Sequence, residues 1–209
     1  MELKEKLTKA LVELRKGKER KFDQTVDLIL NLQKFDHKRN SINLAVNVPF
    51  KVKDKKIAGF FESKKEGVDS ITKDSFKKYS NKNEMKKIVK KYDFFMAEAK
   101  LMPTVATTFG RVLGPAGKMP SPQLGILMDV NDKTIGELKK RINNSVKIRA
   151  KESSIKLSIG KQSMKDEEIL ENAMAVYNAV LKALPRDKEN LKNVEIKFTM
   201  TKPQKIKLR

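Results

Sequence analysis

Cysteine is absent from this chain of 209 residues, and histidine occurs once, as His37. The missing cysteines exclude disulfide bonds, thiolate metal sites and cysteine catalysis. A single histidine excludes the usual multi-histidine metal sites and leaves little capacity for general acid–base catalysis. We therefore expect no catalysis, no cofactor and no metal. We predict that His37 is an ordinary surface residue.

Long apolar runs are also absent, and acidic residues are far outnumbered by basic ones. No run approaches the roughly 20 residues of a membrane span, and the N-terminus lacks the apolar core of a signal peptide. Lysine and arginine number 47 against 26 acidic residues, a net charge of +21. A protein of this size repels itself at that charge unless a polyanion neutralises it. An acidic protein or an anionic membrane could do so, but nucleic acid is the leading partner.

Amphipathic periodicity is clearest towards the two ends of the chain. Leucines at helical spacing predict a helix over residues 2–17, and a second apolar stripe predicts one over 166–184. Alternating apolar residues predict five strands, and two of them are expected to form a hairpin through Glu152, Ser153 and Ser154. Their apolar residues lie within 26–32, 42–48, 146–150, 155–159 and 194–200. Alternation of this kind indicates a sheet covered by helices on one face.

The middle of the chain has a different pattern. Two short continuous apolar runs, 57–61 and 94–97, are followed by helical stretches at about 72–91 and 103–112, and a third helix is expected at 134–142. Fully apolar strands alternating with helices are typical of a parallel sheet flanked by helices. We therefore predict an α+β fold with two domains: a discontinuous α+β sandwich, 1–52 with 145–209, and an inserted three-layer α/β domain, 53–144.

A glycine- and proline-rich segment, 109–122, invites a phosphate-binding interpretation. It does not match the P-loop, because Val112 stands where the first glycine belongs and Met119 follows Lys118 where Ser or Thr must bind magnesium. We favour a rigid structural loop, from which Arg111 and Lys118 could still contact phosphate. A nucleotide-binding or phosphate-ester enzyme using Lys118 remains an alternative function.

The end of the last strand has the chemistry of an RNA contact. The segment 197–204 predicts a strand that stops at a proline and carries hydroxyls, a methionine and a lysine at its tip, without a catalytic acid, base or nucleophile. The segment 21–27 has a similar basic and aromatic character. If the two strands are neighbours, residues from opposite ends of the chain form one surface. Phe22 and Met200 have an equally good interpretation as apolar residues of the core.

Several segments together resemble the ribosomal protein L-one family, the universal large-subunit protein of the mobile stalk beside the tRNA exit site. The resemblance rests on Lys21–Asp27, on Gly110–Pro115 with Gly117–Pro120, on Gly160-Lys161 and on Thr199-Met200, and it covers nearly the whole chain in order. The stretches 35–39 and 202–204 are most similar to the eukaryotic–archaeal branch.

The resemblance implies a split α+β domain that holds ribosomal RNA and an inserted Rossmann-like domain. It implies a structural constituent of the large subunit that binds stalk rRNA, assists release of deacylated tRNA from the exit site, and, as in some members, binds its own messenger RNA as a translational repressor. We expect a monomer off the ribosome, no membrane partner, and a cytoplasmic location, with nucleolar transit if the source is eukaryotic. The predicted RNA-binding residues are Lys21, Phe22, Thr25, Asp27, Lys161, Thr199, Met200, Thr201 and Lys202.

One position departs from the family pattern. The family usually has Gly after Thr-Met, whereas this chain has Thr201. Glycine permits positive φ and a close approach of the backbone to a ligand. Position 201 therefore adopts ordinary extended backbone or the RNA shifts to accommodate the threonine. An assembly factor that shares the fold and binds RNA off the ribosome is a further alternative.

Overall fold

A computed structural model describes residues 2–18, 20–36, 40, 42–65, 67–79, 81–122, 124–150 and 152–207, so the predicted surface position of His37 lies outside the described residues. The chain forms two compact units, one made of residues 1–53 and 144–209 and the other of residues 54–143. None of the described helices is long and apolar enough to cross a membrane. In chain order the elements are α1 (Glu2–Arg15), β1 (Thr25–Leu32), β2 (Asn43–Asn47), β3 (Ile57–Phe61), β4 (Asp69–Thr72), α2 (Lys82–Lys91), β5 (Phe94–Glu98), α3 (Met102–Ala116), β6 (Ile126–Leu127), α4 (Asp132–Asn143), β7 (Ser145–Arg149), β8 (Ser154–Lys161), α5 (Asp166–Ala183), β9 (Leu191–Phe198) and β10 (Gln204–Lys207).

The first unit is built on an antiparallel sheet with the strand order β10-β9-β1-β8. Alternate residues of β1 are buried, because successive side chains of a strand point to opposite faces. The buried side chains share one core with the apolar faces of α1 and α5, which include Leu7, Leu11, Ile169 and Val176. The strand nearest the N-terminus therefore lies in the middle of a sheet whose other strands come from the C-terminal half.

The predicted hairpin between the strands at 146–150 and 155–159 is wrong. β7 pairs with β2 in a separate two-stranded sheet, and β8 pairs with β1. The strand positions were predicted correctly, but alternation of apolar residues says which face is buried and not which strand is the neighbour. The short connection after Arg149 therefore joins two different sheets.

The second unit has three layers. Its strands are all parallel, in the order β4-β3-β5-β6. Alternate residues of β3 enter two separate cores: Phe60 packs with α2 and α3, whereas Phe61 packs with α4 on the opposite face. Helices on both faces explain why β3 is apolar throughout. The predicted fold class, α+β with an α/β insertion, is confirmed.

Two predictions for the second unit need correction. The single helix expected at 72–91 is a 3-10 segment, Lys73–Tyr79, followed by the separate helix α2. The glycine- and proline-rich segment is not a loop throughout, because its first part belongs to α3, which continues to Ala116. The helix is capped by Gly117, whose φ of 69° is left-handed. Burial of Phe109 and Leu113 keeps this segment helical despite its glycines and Pro115.

Lys118 does not face a free phosphate site. Its Nζ donates hydrogen bonds to the carbonyl oxygens of Val89 (2.6 Å) and Tyr92 (2.7 Å) at the C-terminal end of α2. A helix C-terminus presents unsatisfied carbonyls and partial negative charge, so a lysine there is stabilising. These two hydrogen bonds give Lys118 a structural role at the end of α2, which favours the interpretation of this segment as a structural element over that of a phosphate site.

Candidate nucleic-acid interface

The candidate interface lies where the start of β1 meets the ends of β8 and β9. Thr25 is opposite Lys161 on one side, and Val26 is opposite Phe198 on the other. Neighbouring strands are about 5 Å apart, so the three strand ends span about 10 Å. The pairing with β8 shifts between Val26 and Asp27, which marks a bulge at the site itself. Segments from both ends of the chain thus form one continuous edge.

The strand β9 ends at Phe198, so Thr199 and Met200 belong to the turn that leads into β10 and not to the strand itself. The hydroxyl of Thr199 accepts a hydrogen bond from the backbone N–H of Thr25 at 3.0 Å. A hydroxyl has one donor and two acceptor lone pairs. The same hydroxyl oxygen lies 3.4 Å from the carbonyl oxygen of Thr25, a long contact that leaves the hydroxyl proton able to donate to a ligand.

Thr201 holds this turn closed. Its Oγ1 accepts a hydrogen bond from the N–H of Phe198 at 2.9 Å, and its own N–H donates to the Phe198 carbonyl at 3.1 Å. Among the described residues that are not glycine, only Lys34 and Asp187 have positive φ, so position 201 does not need the conformational freedom of glycine. Thr201 itself lies in a bend and not in a strand, and its φ is not left-handed.

Gln24 is the central polar residue of the site, and sequence analysis missed it. Its side chain is buried, donates from Nε2 to Oε1 of Gln162 (3.0 Å) and accepts from the backbone N–H of Met200 (3.1 Å). Its partners are 138 and 176 positions away in the sequence. A glutamine directly before a strand gives no local signal of such a role, because only the tertiary fold creates these contacts.

Asp23 connects the segment before β1 to the end of β8 and the turn that follows it. Its carboxylate accepts hydrogen bonds from the N–H (3.1 Å) and Oγ (3.0 Å) of Ser163, and Nζ of Lys161 lies 3.4 Å away. Burial acts most strongly and would raise the pKa of Asp23, but the bonds from Ser163 and the charge of Lys161 together hold that pKa below its ordinary value. The carboxylate of Asp23 therefore partly offsets the positive charge of Lys161. Lys161 has a structural role in the site, which the sequence did not predict.

The turn after β8 is held by two further features. The guanidinium of Arg15 donates to the carboxylate of Asp166 (2.6 Å) and to the carbonyls of Gln162 (3.0 Å) and Met164 (2.8 Å). Gly160 packs directly against α5, since a Cβ there would lie 3.2 Å from the side chains of Ile169 and Met164. The Gly160-Lys161 pair is thus explained by close packing together with the Asp23 contact.

Two apolar side chains project from this edge. Phe22 is 51% exposed and Met200 is 59% exposed, although large apolar side chains are usually buried. The alternative interpretation of both as core residues is therefore wrong. Lys21 and Lys202 are also exposed, and neither takes part in a hydrogen bond or ion pair with the residues that the structure describes. The edge presents apolar surface flanked by available positive charge.

Asp27 lies just inside this edge and is half-buried on β1. Burial raises the pKa of its carboxyl, and the nearby charge of Lys197, its cross-strand neighbour on β9, opposes that increase. Its oxygens are acceptors in a region rich in cations, where a ribose hydroxyl or base amino group is a suitable donor. Of the remaining predicted contacts, Thr25 begins β1 and Thr199 lies in the turn directly after β9.

Comparison with known proteins agrees with this architecture. Residues 14–202 match the model of the ribosomal protein L1p/L10e family. The chain is similar to large ribosomal subunit protein uL1 of Pyrobaculum neutrophilum, with 38% identity over 93% of this chain and 89% of the relative. The proteins of the same name from Nanoarchaeum equitans (33% identity, 89% of this chain, 92% of the relative) and Thermococcus kodakarensis (33%, 97% of each) are further relatives. All three are archaeal, in agreement with the branch indicated by the sequence.

Proposed function

Because the chain belongs to the ribosomal protein L1p/L10e family, a class of structural ribosomal proteins, we propose that it is a non-catalytic constituent of the large ribosomal subunit. Its ligand is the ribosomal RNA of the stalk near the tRNA exit site. The observation that supports this proposal most directly is the strand-end surface. Met200 and Phe22 are exposed there beside Lys21 and Lys202, which make no hydrogen bond or ion pair with the described residues, and the polar groups beneath them are engaged with one another.

The proposed contacts divide by chemistry. Lys21 and Lys202 attract phosphate, which supplies affinity without sequence information. Phe22 and Met200 pack on ribose or on unstacked bases, and Thr199 and Asp27 bond 2′-hydroxyls, which distinguish RNA from DNA. Thr25, Lys161 and Thr201 complete the predicted set, with Thr201 acting mainly through the turn that it closes.

The same surface supports the wider roles that we propose. On the ribosome the protein assists release of deacylated tRNA from the exit site, and off the ribosome it is a monomer able to bind its own messenger RNA as a repressor. Its location is the cytoplasmic ribosome, with nucleolar transit if the source is eukaryotic. Each role requires an RNA ligand, which agrees with a net charge of +21.

Combined substitution of Thr199→Ala and Met200→Ala tests the assignment. Loss of one hydroxyl contact and one apolar contact is expected to weaken binding to a large-subunit stalk rRNA fragment by roughly 10- to 100-fold at fixed salt. Thermal stability should change little, because both side chains are exposed and water can replace the Thr199 hydroxyl as the acceptor for the N–H of Thr25. Met128→Ala is the matched control, since Met128 is 80% exposed in the second unit. Equal RNA affinity of the double variant and the native chain would contradict the proposal.

Two measurements separate this function from the alternatives. Titration with ATP tests the nucleotide-binding alternative, and we expect no saturable binding because Lys118 is engaged with the end of α2. Co-sedimentation with large subunits at low salt and release at high salt is expected of a ribosomal constituent. A protein that never co-sediments with large subunits would instead be the off-ribosome factor.

A further inference from the structure

A buried amide joins the two turns that carry the RNA-facing residues. Gln24 is 1% exposed. Its Oε1 accepts from the Met200 N–H at 3.1 Å, its Nε2 donates to Oε1 of Gln162 at 3.0 Å, and its backbone carbonyl accepts from the Gln162 N–H at 2.7 Å. Three hydrogen bonds therefore converge on one residue between β8 and β9.

The direction of these bonds follows from their fixed member. The backbone N–H of Met200 can only donate, so the oxygen of the Gln24 amide must face it. The NH₂ group of that amide then points towards Gln162, which must present its own oxygen. A side chain at position 24 therefore has to accept on one side and to provide a hydrogen-bonding partner for Gln162 on the other.

From this arrangement we infer that Gln24 is a positioning residue for RNA binding: it holds the backbone of Met200 in the orientation in which its side chain meets the ligand. This inference rests on the proposed function. A binding surface that is already ordered loses less conformational freedom when the ligand arrives and therefore binds more tightly. Gln24 does not itself contact RNA, because its side chain is buried beneath the surface that Met200 presents.

Two substitutions of similar size separate the hydrogen bonds from the volume of the side chain. Gln24→Met keeps the length but removes both the donor and the acceptor, and we expect RNA affinity to fall by roughly 5- to 10-fold. Gln24→Glu keeps an acceptor for Met200. It also keeps a bond to Gln162, either by donating from a protonated carboxyl or by accepting after the Gln162 amide turns over. We expect Gln24→Glu to bind RNA within about 3-fold of the native chain.

A double-mutant cycle with Met200→Ala identifies the positioning role. If Gln24 acts through Met200, the loss caused by Met200→Ala in the native chain should shrink by several-fold in the Gln24→Met background. Asn190→Leu is the control for a purely structural loss. Asn190 is 2% exposed and its amide joins Gln33, Lys34 and Arg186 beyond the other end of β1. Asn190→Leu should lower the melting temperature of the protein without lowering its RNA affinity.

The outcomes are distinguishable. The inference is overturned if Met200→Ala lowers RNA affinity by the same factor in both backgrounds. It is also overturned if Asn190→Leu weakens RNA binding as much as Gln24→Met does when the two variants have similar melting temperatures. If the double variant Thr199→Ala with Met200→Ala bound RNA as tightly as the native chain, the proposed function itself would be refuted.

Discussion

Replacement of Thr201 by valine tests why this chain carries threonine at the end of the turn after β9. Valine has nearly the same shape and lacks the hydroxyl, so Thr201→Val removes the 2.9 Å hydrogen bond that Oγ1 accepts from the N–H of Phe198. Phe198 is 1% exposed, so its N–H has little access to water in compensation. A buried donor left without a partner costs about 1–3 kcal/mol. We therefore expect the free energy of unfolding to fall by about that amount.

Urea denaturation of the full chain measures this loss, and thermal melting should show a decrease of about 2–4 °C for each kcal/mol. Thr201→Ser is the matched control, because serine keeps the oxygen that accepts from Phe198. Thr201→Gly should also be destabilising, since it removes the hydroxyl and adds backbone freedom to the unfolded chain. If Thr201→Val were as stable as the native chain, or Thr201→Ser were equally destabilised, the hydroxyl would have no role in the turn.

Three further predictions follow from the same structure. Lys118→Met should lower the stability of the second unit by about 1.5–3 kcal/mol in thermal unfolding, because it removes charged donors from the carbonyls of Val89 and Tyr92; unchanged stability would contradict that role. Asp23→Asn should destabilise the protein at neutral pH. Because the folded pKa of Asp23 is depressed, its stabilising contribution is present above about pH 4 and is lost as the pH falls through the folded value, so the difference between the two proteins should vanish in acid melts. Lys21→Gln and Lys202→Gln should each reduce the slope of log K against log salt by about 0.7–0.9, and an unchanged slope would exclude phosphate contact by that lysine.

Periodicity predicted most elements of the fold because burial imposes it directly. The alternating residues of β1 and the stripe of α5 appear in the structure as predicted, since each faces one apolar core. The short strands β4, β6 and β10 were missed because two to four residues contain too little of a period to recognise. The partner of β8 was missed for a different reason, because pairing depends on chain topology.

The sequence predicted the exposed residues of the candidate site but not the buried polar residues that support them. The apolar residues Phe22 and Met200 were candidates because each lies near lysines at the end of a predicted strand, but a core position was an equally good interpretation until the structure showed both to be exposed. The residues beneath them, Gln24 and Asp23, are ordinary polar residues until folding brings Gln162 and Ser163 from about 140 positions away. Hydrogen bonds between distant segments leave no periodic signature, so the supporting layer of a binding site is the part that sequence patterns reveal least.

Positive charge alone does not identify the binding surface of this protein. The second unit, residues 54–143, holds 19 basic and 11 acidic residues, a net charge of +8, and the first unit holds 28 and 15, a net charge of +13. Both units therefore attract a polyanion over a similar range, and salt screens both. What distinguishes the first unit is an edge where apolar side chains are exposed while the polar groups behind them bond to one another. On the proposed function, charge brings RNA to the protein, and this ordered edge determines where on the first unit the RNA is held.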